Sequence, residues 1–286
     1  MHAKRQQLTQ RIERRGTVSD RMCPARRLTA ALLAVMSIQA ALGLSFRTAY
    51  RDVDWVKATW VGNDSVTLAV AVPLMFSGLV LAGRGSIRGL LLWLGLTGYA
   101  VYNYAFYLFG AALNAFFLIY VAAFVLAVTV LILALSRMDV KQVADRVLPT
   151  APVRLVGGAL VFVGGGLTAV WIAMWAAYVF AGRPTPVEPE AFKLVAALDL
   201  ALLVPTLTAG GVLMWKQAPW GFVISAVGSI QGALYLFVLS LNSVIVVQRG
   251  LATAPGELPI WAPLTIFTAI MALLMLRNIG SERVAF

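Results

Sequence analysis

The chain is expected to fold as an all-α, polytopic membrane bundle of about eight transmembrane helices, with both termini in the cytoplasm. Three observations predict this. Of 286 residues, 60% are hydrophobic and 12% are charged, whereas a soluble domain carries about 25% charged residues. Eight continuously apolar stretches fill the chain between residues 28 and 276, each near the ~20 residues that a helix needs to cross the hydrocarbon core. The third observation is the distribution of positive charge, which is lopsided across those stretches.

The eight spans are expected at 28–46, 66–83, 88–109, 113–136, 155–181, 194–215, 219–247 and 258–276. None alternates with period two, so an outer-membrane barrel is excluded. Placing both termini inside puts 17 of the 23 Lys and Arg residues in inner segments. Six fall outside: Arg47, Arg51, Lys57, Arg183, Lys193 and Arg249. The positive-inside rule then fixes the orientation, and the expected location is the cell (plasma) membrane. The net charge of +11 is therefore a topology signal, and it favours contact of the basic tail with anionic lipid. Nucleic acid is not an expected partner, because no basic-aromatic module accompanies the charge.

Residues 1–27 form the basic tail, expected to be disordered. Residues 28–276 form one transmembrane domain, and 277–286 a short inner tail. A basic stretch ahead of an apolar one also fits a signal peptide, but 41–50 offers no small-x-small cleavage site, so 28–46 reads as a retained helix. The outer loop 47–65, with Trp55 and Trp60, is expected to lie along the headgroups. The proline-rich loop 182–192 should be extended. Residues 137–148 should form a short amphipathic helix on the inner surface.

A weak internal symmetry runs through the chain. The second span follows Asp64, contains Pro73, and ends in Gly83-Arg84-Gly85-Ser86-Ile87-Arg88 before Trp93. The sixth contains Asp199 and Pro205 and ends in Trp215-Lys216-Gln217-Ala218-Pro219-Trp220. Two four-helix halves in one orientation would make a parallel repeat, as in some transporters.

Single residues exclude several chemistries. Cys23 is the only cysteine and His2 the only histidine. Paired-thiol redox chemistry, a zinc centre and bis-His haem are all excluded for one chain. No span carries a mid-helix lysine for a Schiff base. No cofactor or metal is expected, and catalysis is not the leading expectation.

The segment Tyr102-Asn103-Tyr104-Ala105-Phe106-Tyr107-Leu108-Phe109-Gly110 with Asn114, and the segment Asp199 to Gly221 around Pro205 and Pro219-Trp220-Gly221, resemble a family of bacterial multi-pass membrane proteins with no established function. The Asn63-Asp64-Ser65-Val66-Thr67 entry to the second span fits as well. The resemblance covers most of 60–235. It implies a helical membrane fold and brings no activity. It also implies that a basic residue often sits near Gln231, which here would leave Asp199 without a charged partner.

Asp199 is the only acid or base expected inside a span, where a carboxylate costs roughly 2.5–3.5 kcal/mol at mid-membrane. With its helix starting near Lys193, it should lie about 9 Å from the outer end. Asn103, Tyr107, Asn114 and Asn242 lie at comparable or shallower depth, with Asp64 at the mouth. These six are the expected ligand-binding set, in an outward-facing pocket for a small solute or cation. The competing expectation is an accessory or assembly subunit, with a membrane-protein partner or a second copy, in which polar groups only hold helices together. Tyr99, Asn103 and Tyr107 share one face of the third span, and aromatic faces of this kind more often pack than bind. Gln231, Gly228 and Gly232 on the seventh span, with the kinking Pro205 on the sixth, are expected to serve helix packing.

Overall fold

Met22 and Ala25 are buried, and the first helix therefore reaches well into the basic segment. The computed structural model describes residues 18–280. Helix α1 spans Val18–Ser45, ten residues ahead of the start expected at Leu28; the rest of the expected tail, 1–17, lies outside the described residues. α2 is longer still: Asp54–Val66, a wide π-helical turn Thr67–Ala71, and Val72–Gly83 form one continuous rod. The expected headgroup loop 47–65 is thus mostly helix, and only 47–53, with a 3-10 turn at Arg47–Ala49, remains as a connection. Hydropathy misses this stretch because its polar residues are enclosed by protein and not by lipid. Trp60, Asn63 and Asp64 are all buried.

The remaining helices are α3 (Ile87–Gly110), α4 (Phe117–Arg137), the short α5 (Val140–Ala144), α6 (Val153–Ala181), α7 (Pro189–Leu198, a π turn Asp199–Leu203, then Val204–Trp215), α8 (Pro219–Gln248) and α9 (Leu258–Arg277). Among the described residues there are no strands; Val147 and Ile279 form a single bridge pair. Seven helices among the described residues are long and apolar enough to cross a membrane. The eighth expected span, α3, is diluted by tyrosines, glycines and Asn103. It has the length, at 24 residues and ~1.5 Å per residue. Its buried residues run from Ile87 to Tyr107, so neighbouring helices cover most of its length. The chain is a multi-pass helical membrane protein.

One end of the bundle gathers the basic connections. The Arg88 side chain donates to the backbone oxygens of Ile279 (2.9 Å) and Arg277 (3.2 Å). The Trp215 indole donates to the Arg154 carbonyl (3.2 Å). The Gly280 amide reaches Arg146 O (2.8 Å). The expected surface helix is here the five-residue α5, capped by Asp139 on the Gln142 amide (3.1 Å) and packed against α8. The opposite end, holding the 46–53, 111–116, 182–188 and 249–257 connections, is called the far end below.

The α2–α3 and α7–α8 hairpins have the same local geometry at positions 132 residues apart. In each, a π turn is followed at once by Val-Pro: Val72-Pro73 and Val204-Pro205. The turn bonds Arg84 N to Val80 O, Gly85 N to Ala82 O and Ser86 N to Leu81 O recur as Lys216 N to Val212 O, Gln217 N to Met214 O and Ala218 N to Leu213 O. Gly85 has φ +81° and its counterpart Gln217 has φ +52°. Where α3 crosses α8, the contacts are reciprocal. Gly95 lies against Ile230, and Gly98 against Val227, with 227 and 230 the counterparts of 95 and 98. That is the contact pattern of a two-fold axis passing between the helices.

Candidate ligand cavity

A cavity of about 1800 Å³ opens among α2, α3, α6, α7, α8 and α9 toward the far end. It exists because the second four helices splay. α1 and α4 pack along each other, while α6 and α9 barely touch. Accordingly the buried residues of α6 stop at Gly164, and its far-end half is left uncovered by the chain. Most of the lining is apolar, including Phe106, Leu167, Val170, Leu203, Leu239 and Leu264. The buried carboxylate and amide groups of the lining fall into two parts.

The first part is Asp199, 2% exposed. It opens the π turn of α7 and accepts the Tyr102 hydroxyl of α3 on Oδ1 (2.6 Å) and the Trp171 indole N–H of α6 on Oδ2 (2.9 Å). Because α7 begins at Pro189 and not near Lys193, Asp199 lies about 15 Å along the helix, at ~1.5 Å per residue. That is deeper than expected. The second part is a row of three amides. The Asn242 Nδ2 group donates to Asn63 Oδ1 (2.9 Å), and Asn63 Nδ2 approaches Asn103 Oδ1 at 3.5 Å. The row leaves Asn103 Nδ2 and Asn242 Oδ1 buried without a partner.

Of the six residues expected to line one pocket, Asp199, Asn103 and Asn242 do so, while Asp64, Tyr107 and Asn114 stand apart from it. Asp64 is 0% exposed and sits inside α2, not at a mouth. Asp199 is therefore not the only acid within a span. Asp64 accepts Gln39 Nε2 (3.0 Å) and the Tyr107 hydroxyl (2.7 Å) on Oδ1, and the Tyr50 hydroxyl (2.7 Å) on Oδ2. Burial and the neighbouring Asp64 carboxyl hold the Tyr50 phenol far above its ordinary pKa, so it stays a donor. Stacked rings enclose this acid, with Trp60–Tyr107 centroids 4.4 Å apart and Tyr107–Tyr120 centroids 4.9 Å apart. Asn114 folds the α3–α4 connection: Oδ1 accepts the Phe116 amide (2.8 Å) and Nδ2 donates to Ala112 O (3.0 Å).

The residues expected to pack helices divide similarly. Gln231 faces Gly98 of α3, and Gly228 faces Thr206 and Leu207 of α7. Pro205 follows directly on the π turn. Gly232 is different: nothing lies within 4 Å of where its side chain would be, and it lines the cavity. It separates no helices. Sequence reasoning also missed Gln39 and Trp171 as carboxylate donors. Gln39 carried a signal, being a lone amide in an otherwise apolar span; an indole in an apolar run carries none.

Gln39 and Trp171 are 132 residues apart, the offset that separates the two hairpins, and each donates to an acid of the following helix. The acids themselves fall out of register. The counterpart of Asp199 is Thr67, one turn beyond Asp64. Helix α3 grips both acids, Asp64 through Tyr107 and Asp199 through Tyr102. Both carboxylates are thus ringed by hydrogen-bond donors, and a cation would have to displace them. Among the described residues no group of three or more His, Cys, Asp or Glu side chains could hold a metal ion. Comparison with known protein families, with characterised proteins and with solved structures finds no match for this chain.

Proposed function

We propose that this protein binds a small amphipathic solute in the far-end cavity and takes part in its passage into or across the membrane. The observation that carries the reading is a volume of about 1800 Å³ with a mainly apolar lining and a few convergent polar groups. Ligand sites share this mainly apolar lining with few polar groups but are usually smaller, about 300–1000 Å³, and the extra length suits a long alkyl tail. The gap between α6 and α9 gives a route from the acyl-chain region, so the solute need not cross water. With the basic end inside, as the positive-inside rule expects, the cavity faces outward in the cell membrane.

The proposal includes a duplicated architecture. On this reading the halves 18–137 and 153–277 are copies of one four-helix unit, related by an axis between α3 and α8. One copy is shut, with Trp60, Tyr107 and Tyr120 filling its interior, and the other is open. Parallel repeats placing a solute site at their interface occur in transporters. An assembly-subunit role would leave the cavity without a purpose.

The test is a titration of purified protein with a bromine-labelled C18 alkyl amide, followed through quenching of Trp55, Trp171 and Trp261, which line the cavity. Saturable quenching that Gly232→Phe abolishes supports the proposal. Non-saturable quenching equal in both proteins, as expected of a probe dissolved only in detergent, refutes it.

A further inference from the structure

The two orphaned amide atoms specify more than an apolar tail. Asn103 is 4% exposed and Asn242 7%, and both line the cavity. Leaving a buried donor or acceptor unpaired costs about 1–3 kcal/mol, so two in one row are a marked expense. Each atom has under 1 Å² of accessible surface, and a head group pairs with them as the two side chains turn toward the cavity they line. The pairing is also directional. Turning over all three amides exchanges which end is which, yet the row still finishes in one free N–H and one free carbonyl. The arrangement is tightly built: a side chain at Gly62 would collide with Asn242 Oδ1, so only glycine lets α8 bring this amide against α2.

Charge is absent from this part of the lining. Asp199 already has a donor on each oxygen, and Asp52 is occupied by the Trp60 indole (3.0 Å) and the Ala112 amide (2.8 Å). The other charged lining residues, Arg51, Glu188, Glu190, Lys193 and Glu257, are exposed, at connections or helix starts of the far end. A charged head group at the amide row would be desolvated without a counter-ion, which is strongly unfavourable.

We infer that the row Asn242–Asn63–Asn103 is the head-group subsite of the cavity, and that it takes an uncharged head carrying both a hydrogen-bond donor and an acceptor, such as a primary amide, a urea or a hydroxyl pair. The inference rests on the proposed solute-binding reading. It adds that selection among amphiphiles is made by neutral hydrogen bonding and not by Asp199 acting as an anion. The lining then divides its work, with apolar side chains accommodating the tail and three amides reading the head.

Four bromine-labelled C18 probes test it by saturable tryptophan quenching: a primary amide, a carboxylate, a trimethylammonium and a head-less alkane. The amide is expected to bind wild type at least about tenfold more tightly than the other three, the equivalent of one hydrogen bond of ~1.4 kcal/mol. Asn103→Leu should remove that preference. Tightest binding of the trimethylammonium probe would overturn the inference in favour of Asp199 as a cation site. Equal binding of all four would also overturn it, leaving an apolar cavity without head recognition. If no probe saturates, including the alkane, the cavity reading itself fails, an outcome distinct from the other two. The comparison of probes on wild type needs no variant to fold.

Discussion

The Tyr107 hydroxyl donates to Asp64 Oδ1 at 2.7 Å, and that bond ties α3 to α2. The same carboxylate holds Tyr50 and Gln39, so one acid joins α1, the turn after it, α2 and α3. Asp199 has two donors, from α3 and α6. The two acids should therefore differ in structural weight.

Asp64→Ala should cost more stability than Asp199→Ala. It takes the acceptor from the buried Tyr50 and Tyr107 hydroxyls and one of two acceptors from Gln39 Nε2, at about 1–3 kcal/mol for each donor left unpaired. Asp199→Ala strands one buried hydroxyl, Tyr102, and the part-buried Trp171 indole. Thermal unfolding in mild detergent, read by helical circular dichroism, checks this. The expected order is wild type, then Asp199→Ala, then Asp64→Ala. A stability loss at Asp64 no larger than at Asp199 would mean that its partners find water.

The α7–α8 turn holds Gln217 at φ +52°, where its counterpart Gly85 sits at +81°. A residue with a Cβ loses roughly 1–2 kcal/mol in this left-handed region, and glycine does not. Gln217→Gly should raise stability by up to ~1 kcal/mol. Gly85→Ala should lower it by at least as much. Both follow from the same unfolding experiment.

The reciprocal crossing of α3 and α8 can be tested with cysteine pairs in a Cys23→Ser background, which removes the chain's one native thiol. Gly95→Cys with Ile230→Cys, and Gly98→Cys with Val227→Cys, should both crosslink on mild oxidation. A Cβ at 95 would lie 2.6 Å from Ile230 Cβ and one at 98 would lie 3.4 Å from Val227 Cγ1, so a slight separation of the helices brings each pair to disulfide geometry. Crosslinking of one pair alone would deny the two-fold relation between the halves.

Gly62→Ala should separate the amide row from the acids. The added methyl displaces Asn242, breaking its bond to Asn63, while Asp64 and Asp199 keep their donors. Preference for the amide probe over the alkane should fall about tenfold, the worth of ~1.4 kcal/mol. An unaltered preference would remove Asn242 from the subsite.

Much of the bundle was legible because lipid imposes a simple rule: a span facing hydrocarbon must be apolar along its length. α4, α6, α8 and α9 obey it and fall within a few residues of their expected ends. The rule fails where protein replaces lipid. The first half of α2 reads as a polar loop because Asn63 and Asp64 are satisfied by Gln39, Tyr50, Tyr107 and Asn242, all distant in sequence. The same blindness put Asp64 at a mouth and Asn114 in a pocket. Asn103, Asn242 and Asp199 were found because each is costly in a helix without partners. The two acids fall out of register with each other, whereas Leu68-Ala69 with Val72-Pro73 and Leu200-Ala201 with Val204-Pro205 keep a constant offset.

The most direct test of the account fills the cavity without disturbing its walls. Gly232 lines it and has nothing within 4 Å of its would-be side chain, so Gly232→Phe should fold as wild type does. Native mass spectrometry of both proteins from mild detergent is expected to show wild type carrying an uncharged amphiphile and Gly232→Phe carrying none. Equal occupancy of the two proteins, or a wild type that emerges empty while still failing to take up added alkyl amide, would contradict the claim that this cavity is a binding site.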